Sequence, residues 1–397
     1  MKERARLVNF LRTIICYPDL AQNVKSICVR QDQIFQELKQ QGVPPLPAHL
    51  GVDDKKVLMK AAAPYLQLDN EKKHWERWIK AGMHSALLAL ILCLCHNVTS
   101  LHIPLDCGRH FVGQRNWMLL RIAMGLATRT TSDKACGGLS SLTQLGFDAM
   151  YPYANPEKQA NIKSFIPFLK LLSLKEITLD GVFTSGAFEQ PARMNRLTSI
   201  RLRDCQIERG CFERLVKACN ALKSLSIGCT NQYIDTTIDY TPFIQSLATH
   251  APNLETLELL FECGFEWGMA SPHLLNDELV ISRLTNLKEL RVPAGFLFPV
   301  EPALSNSALK QPRLPKGFPP SLRKLVLYNF SNESLVDVLV PHGGFIEPFP
   351  LPEQVELYAP LTEDWMRRIQ VMQKEYAPTG VIISVIPCGS SPYLIFD

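Results

Sequence analysis

One short phrase recurs along the chain and constrains its fold more than any other feature. It is an apolar residue, two free positions, a second apolar residue, one free position and a third apolar residue. The fullest copy runs Leu197-Thr198-Ser199-Ile200-Arg201-Leu202 and continues Arg203-Asp204-Cys205-Gln206-Ile207. Downstream the phrase returns at Leu222/Leu225/Ile227, Leu254/Leu257/Leu259, Leu287/Leu290/Val292 and Leu322/Leu325/Leu327. Upstream it stands at Val98/Leu101/Ile103, Leu142/Leu145/Phe147 and Leu174/Ile177/Leu179, with a weaker first copy at Val24/Ile27/Val29. Asn or Ser often precedes it, as at Asn97, Asn253, Asn286 and Ser321.

The end of the phrase alternates with a period of two, the mark of a strand with one buried face. A single such strand cannot cover its own apolar side. Parallel copies stacked side by side make a continuous core. Between copies the apolar spacing turns helical: Phe212, Leu215, Val216 and Cys219 share one helical face, as do Phe243, Ile244 and Leu247, and Leu335, Val338 and Leu339. The stretches from Trp117 to Met124 and from Ile162 to Leu172 are further candidates. Each repeat therefore reads as strand, loop, helix, loop, the crossover that parallel strands require. The spacing between middle apolar positions runs from 23 to 44 residues. A leucine-rich period is about 20–29 residues, so the longer repeats carry insertions that form loops at one rim.

These copies resemble the cysteine-containing leucine-rich repeat, L-x-x-L-x-L-x-x-C-x-L, with Cys205 in the cysteine position. The irregular periods, the phrases Asn253 to Leu259 and Asn286 to Leu290, and the opening Phe10 to Ile15 followed by Pro18 to Ile27 are similar to fungal F-box-type leucine-rich-repeat proteins. The resemblance implies an α/β leucine-rich-repeat solenoid: nine or more strands in one curved parallel sheet, with helices on the convex side. It also implies a receptor that delivers other proteins to a ubiquitin ligase. The Leu-Pro-x-Glu-type phrase that begins an F-box is not found before Phe10. The expectation is therefore the receptor half without its tether, a truncated chain or one that lost the module. Binding to the adaptor of cullin ligases is not expected.

Residues 1–95 read as a helical N-terminal cap with Val24 to Val29 as a possible first strand. Within it, Pro44-Pro45-Leu46-Pro47 marks a rigid loop, Lys73 to Cys95 reads as one long helix, and Trp75 and Trp78 read as packing residues. Residues 96–397 read as the solenoid. It contains a Pro-rich insertion from Pro293 to Pro320, a further strand at Gln354 to Leu357, and a closing helix, Thr362 to Tyr376, followed by the strand Val381 to Ile386.

The catalytic signatures are missing: no G-x-S-x-G, no Walker loop, no G-x-G-x-x-G and no H-E-x-x-H. The twelve cysteines include no C-x-x-C pair and no zinc-ligand spacing with histidine. Free thiols in a reducing compartment are expected, with Cys205 buried as a structural residue at the end of its strand. No cofactor or metal is implied. A net charge of +4 is too small to draw nucleic acid or an acidic membrane. The longest uncharged apolar run, Ala86 to Cys95, is about half of a membrane span, and Arg12 interrupts the apolar stretch at the N-terminus. The expected location is cytoplasmic or nuclear.

What remains is binding. Alternation turns one set of strand residues outward, and on the concave face these include Arg201, Arg203, Glu258, Arg291 and Tyr328. Guanidinium groups on a rigid sheet suit carboxylate recognition. The rim loops add Tyr233, Phe265 and Trp267 as candidate anchors. The expected partner is another protein. The alternatives are an enzyme whose site is built from the inserted loops, and a remnant without a partner.

Overall fold

The computed structural model of the chain describes residues 2–29, 50–65, 69–105, 117–132, 139–149, 165–184, 194, 196–207, 209–229, 241–261, 281–293, 318–328, 352–359 and 363–387. These form two compact units, Met1–Leu197 with Cys205–Ile207, and Thr198–Asp204 with Glu208–Asp397.

In the first unit, strands β1 (Ser26–Cys28), β2 (Ser100–Leu105), β3 (Gln144–Ala149) and β4 (Glu176–Asp180) run parallel in that order. Their middle apolar residues meet in register, Ile27 beside Leu101, Leu101 beside Leu145, and Leu145 beside Ile177. Two short strands, β5 (Phe183–Thr184) and β7 (Gln206–Ile207), pair separately. Phe147, an inward residue of β3, packs at 4.2 Å from Phe165 and 5.5 Å from Phe168 at the helix Ile166–Leu169. Inward strand residues and helices thus share one core. Helix His84–Leu94 packs between helices Lys2–Cys16 and Trp117–Ser132.

In the second unit, β6 (Ser199–Arg203), β8 (Ser224–Cys229), β9 (Thr256–Phe261), β10 (Glu289–Pro293), β11 (Lys324–Tyr328), β12 (Gln354–Ala359) and β13 (Ile382–Pro387) are parallel neighbours in that order. Ile200, Leu225, Leu257, Leu290, Leu325, Val355 and Ile383 align across all seven. All are buried, and burying one such side chain stabilises by about 1.5–3 kcal/mol. Helices Arg209–Ala218 and Thr241–His250 pack together through Phe212 and Phe243, whose rings lie 4.9 Å apart. The expected α/β leucine-rich-repeat solenoid of parallel strands is thus the fold of the chain.

The residue before each phrase has a physical role. In the first unit the Asn97 amide donates to the Gln22 carbonyl of the turn before β1. In the second, Asn253 donates to Asn220, Asn286 to Pro252, and the Ser321 hydroxyl to Leu287. Each bond ties the approach to one strand to the turn of the repeat before it. Backbone groups repeat the pattern: Glu255 and Thr256 both donate to the Lys223 carbonyl, and Lys288 and Glu289 to that of Glu255.

Three expectations change. The helix from Lys73 to Cys95 is two helices, Asp69–Lys80 and His84–Leu94. Gly82 separates them at φ 66°. Its N–H bonds the Ile79 carbonyl and that of Met83 the Trp78 carbonyl, the paired bonds that close a helix through a left-handed glycine. The stretch Ile162 to Leu172 keeps one described turn of helix, Ile166–Leu169, with proline in its first positions. Cys205 is half-buried rather than buried, because it sits past the end of β6 and its thiol donates to the Leu179 carbonyl at 3.3 Å. The expected helix at Leu335, Val338 and Leu339, the Pro44–Pro47 loop and most of the Pro293–Pro320 insertion lie outside the described residues.

Candidate functional site

The outward residues of the second unit form rows across its strands. The central row is Arg201, Ser226, Glu258, Arg291, Val326, Glu356 and Ser384. Register alone brings Glu258 and Arg291 together. Arg291 lies 3.6 Å from Glu258 and 2.8 Å from Glu289. Glu258 also accepts the Ser226 hydroxyl at 2.7 Å and the Tyr328 hydroxyl at 3.2 Å. Lys324 continues the network, 2.8 Å from Glu356 and 3.8 Å from Glu289.

Burial works against the Arg291 charge, but Glu289, the Tyr328 hydroxyl and Glu258 outweigh it and hold the guanidinium more firmly protonated than usual. Burial and the Glu258 charge push the Tyr328 phenol up. These groups are committed to one another. Beside them, Val326 and Tyr328 on β11 pack with Leu260 on β9 into a buried apolar cluster, and the Tyr358 ring packs tilted against that of Tyr328, centroids 5.0 Å apart. Alternation turns Leu260, Val326 and Tyr328 away from the main core, yet Val326 is 0% exposed. This part of the outward face is closed.

The β6 end differs. Arg201 is exposed between the buried Ile200 and Leu202, and among the described residues its side chain makes no hydrogen bond or ion pair. Its position on β6 is fixed by the register with Ser226. Arg203 is half-buried, with its stem near Gly228. The structure therefore brings Glu258, Arg291 and Tyr328 into one network and leaves Arg201 outside it. Tyr233, Phe265 and Trp267 lie outside the described residues.

The first unit holds a cluster that sequence reasoning missed. His102 on β2 places Nε2 2.5 Å from Asp148 Oδ2 on β3, and Asp148 stands beside Asp180 on β4. Reading outward residues in register across the strands is the signal that finds it; no local motif contains it. Cys28 is in register with His102, but both ring nitrogens lie toward β3, over Gly146 and at Asp148.

Catalytic chemistry finds little support among the described residues. No group of His, Cys, Asp and Glu there is arranged to hold a metal. Burial pushes the thiols of Cys95 and Cys219 up to about 11 and about 12, which keeps them protonated and poor nucleophiles. A cavity of about 200 Å³ between helices Arg209–Ala218 and Thr241–His250 includes Glu213, Ser246 and His250. It is smaller than ordinary ligand pockets of about 300–1,000 Å³. No described helix is long and apolar enough to cross a membrane.

The sequence profile of the leucine-rich repeat domain matches residues 1–371. No curated protein matches the chain. Among solved structures, the chain is similar to the crystal structure of the TLR13–ssRNA13 complex, at 16% identity and a TM-score of 0.33. That match covers 70% of this chain and 34% of the other, so this chain spans about a third of the length of the chain it matches.

Proposed function

The chain belongs to the leucine-rich repeat domain family, and on that footing we propose that it is a non-catalytic scaffold that holds another protein on the outward face of its strands. The observation that carries this is the exposed Arg201. It is a charged group on a rigid strand, without an ion-pair partner among the described residues, beside a face whose other charges are already matched. A strand holds such a side chain in place at low entropic cost, so more of its interaction energy is left for the partner. The acceptor best suited to a planar guanidinium is a carboxylate. The partner is a protein with an acidic surface rather than nucleic acid, since the net charge of +4 supplies little attraction for phosphates.

The finer form of this reading is a substrate receptor of the fungal F-box type, working in the cytoplasm or nucleus. Residues 1–95 act as its cap and residues 96–397 as its repeat array. A pull-down with residues 1–397 should not recover the small adaptor of cullin ligases. Stoichiometric recovery of that adaptor would show that residues 1–397 themselves contain an F-box module. The broader reading is tested by affinity capture with wild-type chain and with Arg201→Glu/Arg203→Glu, compared by mass spectrometry. Proteins enriched by the wild type and lost from the double variant support the outward face of the second unit. Equal recovery by both removes it.

A further inference from the structure

The outward side of the first unit carries an arrangement that protein binding does not require. Strands β1 to β4 contain no Lys or Arg, so His102 is the one residue in them able to carry positive charge. Its charged and titratable neighbours on the packed strands are Cys28 on β1, Asp148 on β3, and Glu176 and Asp180 on β4. The imidazole leans over Gly146, where a β-carbon would fall 2.2 Å from Nδ1. Any larger residue at that position pushes the ring away from Asp148. Glycine is needed here for close approach, not for an unusual backbone angle. The His102 side chain keeps 32% of its surface exposed and Asp148 46%, so protons exchange freely with solvent.

We propose that His102, Asp148 and Asp180 form a proton-operated clasp across β2, β3 and β4, tighter when His102 is charged. The imidazolium donates from Nε2 to Asp148 and offsets the repulsion between Asp148 and Asp180, which stand side by side on neighbouring strands. The neutral ring can still donate the same hydrogen bond. It loses the charge assistance that makes such a bond roughly twice as strong, and it no longer offsets the repulsion between the two carboxylates. Loss of the proton therefore loosens the clasp without breaking it and leaves the outward face of this unit one charge more negative.

The direction of titration fits. The hydrogen bond to Asp148 raises the His102 pKa, partial burial opposes it, and the charges of Asp148 and Asp180 add to the rise. A histidine raised on folding contributes stability that is fully present below its unfolded value. That stability is lost as pH climbs through the raised one. The response falls in the range where histidine acts as a switch.

The test uses the full chain. NMR follows the His102 ring, assigned by its absence in His102→Gln, while amide exchange is read at β2 and β3 at about pH 5 and about pH 8. The expected His102 midpoint lies above the ordinary histidine value and falls in Asp148→Asn. Protection of the β2 and β3 amides, corrected for intrinsic exchange, should be greater at the lower pH and should lose that difference in His102→Gln. Gly146→Ala should lower the midpoint as well; should it disturb the fold, Asp148→Asn carries the comparison. A midpoint at or below the ordinary value, or a pH-dependent protection that persists in His102→Gln, overturns the clasp.

Discussion

The Tyr328 hydroxyl donates to Glu258 at 3.2 Å, from β11 to β9 and over the strand between them. Residues 70 positions apart in the chain are joined because the repeat register puts both on the outward side of the sheet. Glu258 also takes the Ser226 hydroxyl and the Arg291 guanidinium. It is the acceptor on which this part of the face depends.

Glu258→Ala should therefore destabilise the protein although the residue lies off the main core. It leaves the buried Ser226 hydroxyl, the buried Tyr328 hydroxyl and Arg291 without this acceptor, and one such orphaned group costs about 1–3 kcal/mol. Tyr328→Phe removes only one donor and should cost about 1 kcal/mol. Denaturant unfolding distinguishes them. Equal midpoints for Glu258→Ala and the wild type would mean that water replaces the network at no cost.

An inward residue on β10 and an outward residue on β6 should respond differently. Leu290→Ala empties a fully buried site and should cost about 2–5 kcal/mol. Arg201→Glu, on an exposed site, should change stability by no more than about 0.5 kcal/mol. Thermal melts of the two single variants check both. A large loss from Arg201→Glu would show that its side chain supports the fold.

The bonds that join successive repeats should each contribute measurably. Asn286→Ala removes the 2.7 Å bond to the Pro252 carbonyl and should lower stability by about 1 kcal/mol. Asn286→Asp keeps the size but not the donor, so it should lose at least as much. If Asn286→Asp instead matches the wild type, packing rather than hydrogen bonding explains the residue.

The helix break at Gly82 is also testable. At φ 66°, Gly82→Ala should cost about 1–2 kcal/mol, with no gain from its better helix propensity. A stabilised Gly82→Ala would mean that the two flanking helices can fuse.

The strands were legible because Leu-x-x-Leu-x-Leu combines a period-two burial pattern with a fixed approach, and both are local properties. Ile200, Leu225, Leu257 and Leu290 sit where alternation places them. The break at Gly82 was hidden by the uniformly apolar run that follows it, where helical periodicity gives no phase. Tyr328 reads in the sequence as open surface, since alternation says which way a side chain points and not what packs against it. Its burial comes with Val326 on its own strand and with Leu260 and Tyr358 on other repeats. His102 and Asp148 escaped notice for the same reason: their meeting is set by register between repeats 46 residues apart. Arg291 and Arg201 look alike in sequence, and only the neighbouring Glu258 and Glu289 separate a matched guanidinium from one left exposed.

The central claim, that the outward face of the second unit at β6 holds a protein partner, is tested most directly by the affinity of a captured partner for three forms of the full chain. These are the wild type, Arg201→Glu/Arg203→Glu, and Phe265→Ala/Trp267→Ala. The account predicts that the arginine double variant remains folded and binds at least about tenfold more weakly, equivalent to roughly 1.4 kcal/mol. The aromatic variant should keep most of its affinity. Unchanged binding by the arginine variant, with loss in the aromatic one, would contradict the account and move the site to the rim loops.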